Sequence, residues 1–300
     1  MAALIRSAAI QSDRKDQMLK NTFSHIPGVG PVTERRLWEA GICSWDDFRN
    51  NRSVPLPPAK AGSVQAYLEE SLEHIGSYPG YFSGLLPDGQ HWRLFPEFRH
   101  ATVFLDIETT GLENRDDSIT TIALYDGENT RYFVQGENLE DFPGVIGNYS
   151  VIVTYNGKCF DVPFIERYFG IRLDHAHIDL RYVLKGLGYG GGLKACERRL
   201  GIRREEVHEI DGFLAVALWD VYRRTRNRTV LETLLAYNLQ DAVNLERLMV
   251  LSYNMCLKQT PFYLTHRLTV PQPPELPVKA DRRVIEEILR ISGPAFPSGR

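Results

Sequence analysis

The sequence predicts an α/β protein: a mixed sheet flanked by helices, with a small helical region ahead of it. Three observations carry the prediction. From residue 101 onward short apolar runs alternate with longer helical patterns. Two of the early runs flank a turn tight enough to make them an antiparallel hairpin. Before residue 101 the chain shows turn signals and helical patterning but no strand-like run.

Taken in order, residues 1–22 read as a short helix followed by a polar stretch. "FSHIPGVGPVTERRLWEAGICSWDDF" is dense in turn residues, with helical patterning after them. "SVPLPP" interrupts the chain, and "SVQAYLEESLEHIGS" is an amphipathic helix. "YPGYFSGLLPDGQHWRLFPEFRH" is an aromatic connection punctuated by proline and glycine. Ala101–Asp106 is a strand, and "SITTIALYDG" and "TRYFVQG" form the hairpin around Asp126–Asn129. "SVIVTYNG" is a further strand. "DVPFIERYFG" is a helix that tolerates Pro163 in its first turn, and Ile178–Leu180 is a brief strand. Helices follow over "GLKACERRLG", "GFLAVALWDVYRRTR" and Arg228 to about Lys258. "VPQPPELP" is a linker and "DRRVIEEILRI" a closing helix. The pattern divides the chain into a small helical region (1–60), a connecting segment (61–100), the α/β domain (101–258) and a proline-containing tail (259–300).

Composition limits the function classes. With 300 residues, 43% hydrophobic and 24% charged, the chain has the balance of a soluble globular protein able to bury a sizeable core. A net charge of -3 excludes a polybasic coat but leaves room for one basic face. Cys43, Cys159, Cys196 and Cys256 form no CxxC pair, which opposes a thiolate zinc site or a disulfide framework and fits a reducing cytoplasm. "MAALIRSAAIQSDRKDQ" has too short an apolar stretch for a signal peptide, and no run reaches membrane-spanning length. The expectation is a cytoplasmic protein with no membrane partner.

The chemistry begins at "FLDIETTGL". An apolar strand runs into Asp106 and Glu108, which are two apart and so share one face. Two anions held this close repel each other, and burial makes the repulsion worse. A cation between them relieves it. Asp161 follows another apolar strand and the tight turn at Asn156-Gly157, and Tyr237 and Asp241 lie four apart on one helix face. Each has an ordinary reading: loop capping for Asp106 and Glu108, a helix N-cap for Asp161, a half-buried core aromatic for Tyr237. Their conjunction, in this order and beside these elements, carries more weight than any member.

The set Asp106, Glu108, Asp161, Tyr237 and Asp241 resembles the three motifs of the DEDD (DnaQ-like) exonuclease superfamily in its tyrosine branch. Through "FLDIETTGL", "YNGKCFDVPFI", "GLKACERRLGI" and "YNLQDAVNLERL" the chain is similar to the YprB-type ribonuclease H-like domain over residues 101–250. The resemblance implies a ribonuclease H-like sheet and a metal-dependent 3′–5′ exonuclease. Hydrolysis of a phosphodiester needs an activated water and a stabilised leaving oxygen, which two divalent ions about 3.5–4 Å apart supply. Hard ions such as Mg²⁺ or Mn²⁺ select carboxylates. By resemblance Asp106 bridges both ions, Glu108 and Asp241 complete the water-activating site, Asp161 helps hold the second ion, and Tyr237 orients the water. The resemblance also gives Thr109, Thr110 and Leu112 contacts to the terminal nucleotide. Asn156 and Phe160 either line the substrate path or serve as turn former and core residue.

Other residues carry weaker signals. Lys194 begins a helix after three glycines, a terminus suited to phosphate, but without the P-loop pattern that would imply ATP. His177 and Asp179 in "HAHIDLR" suggest a metal or general-base assignment; since the resemblance already puts Tyr237 where another branch uses histidine, Asp179 reads as a residue that caps or orients its neighbours. "IPGVGPVTERRLWEAGI" resembles a helix-hairpin-helix module, with Gly28 and Gly30 in the turn and Thr33 or its neighbours opening the second helix. The resemblance implies amide contacts to nucleic-acid phosphate; packing alone is the other reading. Arg198, Arg199, Arg203 and Arg204, with Arg223, Arg224, Arg226 and Arg228, form two basic groups that read as solvated surface or as a modest nucleic-acid channel.

These readings converge on a 3′–5′ exonuclease acting on single-stranded DNA in repair, with a helicase to expose ends. An exoribonuclease using the same metals is the first alternative. A nucleic-acid-binding adaptor without activity is the second, opposed by the presence of all four acidic residues and the tyrosine.

Overall fold

The computed structural model describes residues 18–51, 53–111, 117–204 and 212–292. The expected helix within residues 1–22 and the candidate Leu112 lie largely or wholly outside these. Five strands form one mixed sheet: β1 (Thr102–Thr109), β2 (Ile119–Tyr125), β3 (Thr130–Val134), β4 (Val151–Thr154) and β5 (Ala176–Asp179), in the order β3-β2-β1-β4-β5. β1, β2 and β3 pair antiparallel, as the hairpin signal requires; β4 and β5 extend the sheet in parallel from β1. The hairpin closes on Asp126, whose side chain accepts from the N–H groups of Glu128 and Asn129. Asp179 is the last residue of β5, so this strand ends before Leu180 rather than at it.

Helices precede the sheet: α1 (Pro31–Glu39), α2 (Trp45–Asn50), α3 (Pro58–His74), α4 (Pro79–Leu85) and α5 (Phe95–Phe98). Between and after the strands lie α6 (Phe142–Ile146), α7 (Asp161–Phe169), α8 (Leu180–Gly186), α9 (Leu193–Arg199), α10 (Gly212–Thr225) and α11 (Arg228–Leu257). α12 (Tyr263–His266) and α13 (Arg282–Ser292) close the described chain. The connection before the sheet is more regular than its prolines suggest. Pro79 and Pro96 sit in the first turns of α4 and α5, where the missing N–H costs nothing. Its aromatic residues Phe82, Trp92, Phe95 and Phe98 are all buried.

The sheet separates two apolar layers. Val103, Leu105 and Ile107 of β1 pack with Phe142 of α6 and Ile165 of α7. Phe104, on the opposite face, belongs to a core shared with Leu239 and Leu245 of α11 and with Trp45, Phe82 and Phe95 of the N-terminal layer. α10, α13 and the first turns of α11 form a third cluster against the sheet's β3 edge. With so many neighbours, α11 is buried on most of its circumference and shows no clean polar stripe.

The N-terminal layer is fixed by a buried ion pair. Glu34 of α1 accepts from the N–H groups of Phe23 and Ser24, and both its oxygens meet the guanidinium of Arg93, at 3.2 and 2.8 Å. The α1 helix starts at Pro31 with Gly30 as its N-cap, earlier than Thr33. Gly28 turns the chain at φ 79° and its carbonyl accepts from Lys60 Nζ at 2.7 Å.

Candidate active site

β1 pairs with β4 only over Thr102–Phe104, but runs on to Thr109. Its last turns of side chains therefore project past the carboxyl ends of the parallel strands, the usual location of a site in an open α/β sheet. Between Glu108 and Thr109 the register with β2 shifts by one residue, a bulge of the kind that re-aims side chains beside a site.

Asp106 and Glu108 are half-buried there, and Asp241 of α11 is buried against them. One ligand oxygen from each of the three lies within 4.8 Å of the other two. Asp161, buried in the first turn of α7, stands beside the trio rather than within it. The backbone N–H of Ile107, between the two β1 carboxylates, stabilises its charged form. Phe160 is the N-cap and Asp161 the first helical residue, so its side chain is not spent on capping.

The electrostatics of this group are strained. Burial first, and then the charges of Asp241, Glu108 and Asp161, hold Asp106 well above the usual carboxylate range. Glu108 is pushed up to about 8 by burial and Asp241, with Lys194 opposing, and Asp161 to about 7, mainly by burial. Burial and the nearby carboxylates also raise the Tyr237 phenol. A divalent cation among these oxygens would relieve the desolvation and the mutual repulsion together, so the residues present fit a metal.

A model of the RNase H superfamily matches residues 103–253, half of the chain and all of the sheet but Thr102. The chain belongs to the RNase H superfamily. No curated protein matches it. Among solved structures, the family B DNA polymerase of the hyperthermophilic archaeon Pyrobaculum calidifontis aligns at 18% identity and a TM-score of 0.34, over 59% of this chain and 31% of the polymerase. Brucella melitensis NrnC aligns at 14% identity and a TM-score of 0.29, over 53% of this chain and 86% of NrnC. The chain thus spans under a third of the polymerase's length.

Within the RNase H domain the other candidate residues fall into three groups. Lys194 joins the carboxylates: its ammonium lies 4.6 Å from the centre of the Tyr237 ring and lowers the Glu108 pKa. Thr109 and Thr110 follow the acidic pair and bond locally, Thr109 Oγ1 to the Gly111 carbonyl and Thr110 Oγ1 receiving the Ser118 N–H. Asn156 and Phe160 belong to the turn that launches α7. Asn156 adopts φ 68°, and Phe160 packs on Phe164. Gly28 and Gly30 belong to the N-terminal layer.

Asp179 organises that turn. It accepts from the N–H groups of Asn156, Lys158 and Arg181, the orienting part expected of it. Gly157 makes the turn possible, since a Cβ there would lie 2.3 Å from Thr154 Oγ1. His177 is engaged within the fold: its Nε2 is bonded to Thr154 Oγ1, and burial, then Lys158, hold its pKa down at about 3.

Two neighbours were not legible as site residues. Asn238, fully buried on α11, donates from Nδ2 to Asp106 Oδ2 at 2.7 Å while its Oδ1 accepts from Thr121. Arg204 corrects the reading of its basic group as solvated surface. It turns inward, bonding Glu197 Oε2 through Nε and Nη2 and reaching Asp241 Oδ1 with Nη1 at 2.5 Å. Burial alternates here, so Arg204 shares the inward side with the buried Ile202 while Arg203 between them is exposed.

Proposed function

We propose that the protein is a 3′–5′ exonuclease of the DEDD type, tyrosine branch, acting on single-stranded DNA in repair in the cytoplasm, with a helicase supplying ends. The observation that carries this reading is the meeting of Asp106, Glu108 and Asp241 within 4.8 Å, with Asp161 beside them and Tyr237 one turn before Asp241. Asp106, Glu108, Asp161 and Asp241 would hold two divalent ions, Mg²⁺ or Mn²⁺. When bound, such ions acidify a water and stabilise the charge on a leaving oxygen.

The chain's own groups do the rest. Asn238 fixes one oxygen of Asp106 and leaves the other for a ligand. The raised pKa of Tyr237 keeps its phenol protonated, so it orients a water by hydrogen bonding rather than taking its proton. Lys194, beside Glu108 and Tyr237, is placed to meet a phosphate oxygen. Thr109, Thr110 and Leu112 receive the terminal nucleotide in this reading, with Asn156 and Phe160 on its path. Residues 101–258 hydrolyse, while the Gly28–Gly30 turn of residues 1–60 contacts backbone phosphate as a helix-hairpin-helix module does. The four cysteines are free, as a reducing compartment requires, and no described helix is long and apolar enough to cross a membrane.

The test is digestion of 3′- and 5′-labelled DNA and RNA, single- and double-stranded, with Mg²⁺ or Mn²⁺ and with EDTA. Stepwise release of mononucleotides from the 3′ end of single-stranded DNA, abolished by EDTA and by Asp106→Ala, is expected. Equal degradation by wild type and Asp106→Ala would refute the proposal.

A further inference from the structure

Arg204 is a cation in direct contact with the carboxylate trio, and its setting is a built one. Its Nε and Nη2 both bond Glu197 Oε2, at 2.8 and 2.7 Å. Glu197 is 1% exposed and its other oxygen accepts from Asn244 Nδ2 at 2.9 Å. Asn244 in turn accepts from Gln240 of the same helix. The fork is thus aimed from behind, leaving Nη1 to face Asp241 and the guanidinium 5.7 Å from the centre of the Tyr237 ring. One arginine therefore meets two of the three residues that α11 brings to the site, Asp241 and Tyr237.

We infer that Arg204, anchored by Glu197, is a positioning residue that holds Asp241 by one oxygen and presents the other to a metal ion. The inference rests on the metal-binding reading above. Its electrostatic logic follows from the pairing. An unpaired guanidinium at this distance would cancel the Asp241 charge and compete with a metal. Glu197 supplies a compensating carboxylate, so Arg204 fixes the orientation of Asp241 while leaving the site's negative charge available. Lysine is a poor substitute, since its donors sit on one nitrogen at the end of a flexible stem, whereas the planar guanidinium reaches Glu197 and Asp241 from separate nitrogens in a fixed geometry.

The experiment is calorimetric titration of the whole protein with Mn²⁺ alone, without nucleic acid, on wild type, Arg204→Lys, Glu197→Gln and the Arg204→Gln/Glu197→Gln pair. Loss of an outer partner of a metal ligand typically weakens affinity by about 10–100-fold. A drop of at least about tenfold in Mn²⁺ affinity is expected in all three variants, with the fold of Glu197→Gln retained by circular dichroism. Unchanged affinity would reduce Arg204 to a packing residue, and tighter binding would make it a competitor of the metal; either overturns the inference. Should the arginine variants fail to fold, the isosteric Glu197→Gln decides alone. Absence of Mn²⁺ binding by wild type would instead defeat the exonuclease reading itself, so the two failures are distinguishable.

Discussion

Glu34 of the N-terminal layer and the acids at the end of β1 are satisfied in opposite ways. Glu34 receives two backbone N–H groups and a bidentate guanidinium, so nearly all of its capacity to accept is filled by the chain itself. Asp106, Glu108, Asp161 and Asp241 crowd together with Asn238, Lys194 and Arg204 as their polar company, and three of them are pushed far up in pKa. The first arrangement joins α1 to the segment before the sheet. The second is unfavourable unless something cationic enters, and strong perturbation of this kind in a cleft is characteristic of functional sites. The difference separates an acid that holds the fold together from acids whose burial is left uncompensated by the chain and that could hold a metal ion.

The largest effect expected is on turnover. Asp106→Ala removes a ligand for both proposed ions and should lower the rate of nucleotide release about 10³–10⁴-fold, read by single-turnover digestion, with the fold intact by circular dichroism. Arg93→Ala should do the reverse: leaving Glu34 buried without its partner costs about 3–5 kcal/mol of stability, measured by urea unfolding, without direct harm to metal binding. Similar stability losses in both variants would erase the contrast. Tyr237→Phe is a finer probe, expected to lower turnover on the order of 10²-fold while the calorimetric affinity for Mn²⁺ is retained.

The smallest effect, and the most direct on charge, is the response to pH. Glu108 and Asp161 have folded pKa values of about 8 and about 7 against ordinary values of 4.5 and 3.8. Between those limits the folded, metal-free protein binds more protons than the unfolded chain. Its stability should therefore fall as pH rises from about 4 towards 8, and added Mg²⁺ should abolish the slope. The N-terminal layer responds from the acid side. Burial, and then Arg93, hold His25 at about 3, so its contribution is full above the ordinary 6.5 and fades as pH falls towards 3. Melting temperatures across pH, with and without Mg²⁺, check both arms; a metal-insensitive alkaline slope would contradict the account of the carboxylates.

Much of this was legible in the sequence, for physical reasons that also explain what was not. β1 and the hairpin announce themselves as short apolar runs around turn signals and α11 as a long stretch without glycine or proline, and the acidic residues are visible because carboxylates at the ends of apolar strands conflict with their surroundings. Asn238 carries no such conflict: an amide among Leu234, Leu235 and Leu239 of α11 reveals its purpose only when Asp106 arrives across 132 positions. Arg204 was hidden by company, because Arg203 beside it is exposed and a run of basic residues reads as surface. The segment before the sheet was obscured by its prolines, which open helices there instead of ending them. The Glu34–Arg93 pair spans 59 positions and leaves no local trace.

Tyr237, Asn238 and Asp241 ride on a single unbroken helix of 30 residues. Asn254, near its far end, is stitched by two hydrogen bonds to the backbone of Leu268. A slip of that rod by one residue would swing all three groups through roughly 100° at once. The three groups are accordingly coupled in register, and a displacement at the tail end of the helix would reach the acidic end as a change of alignment rather than a gradual loosening.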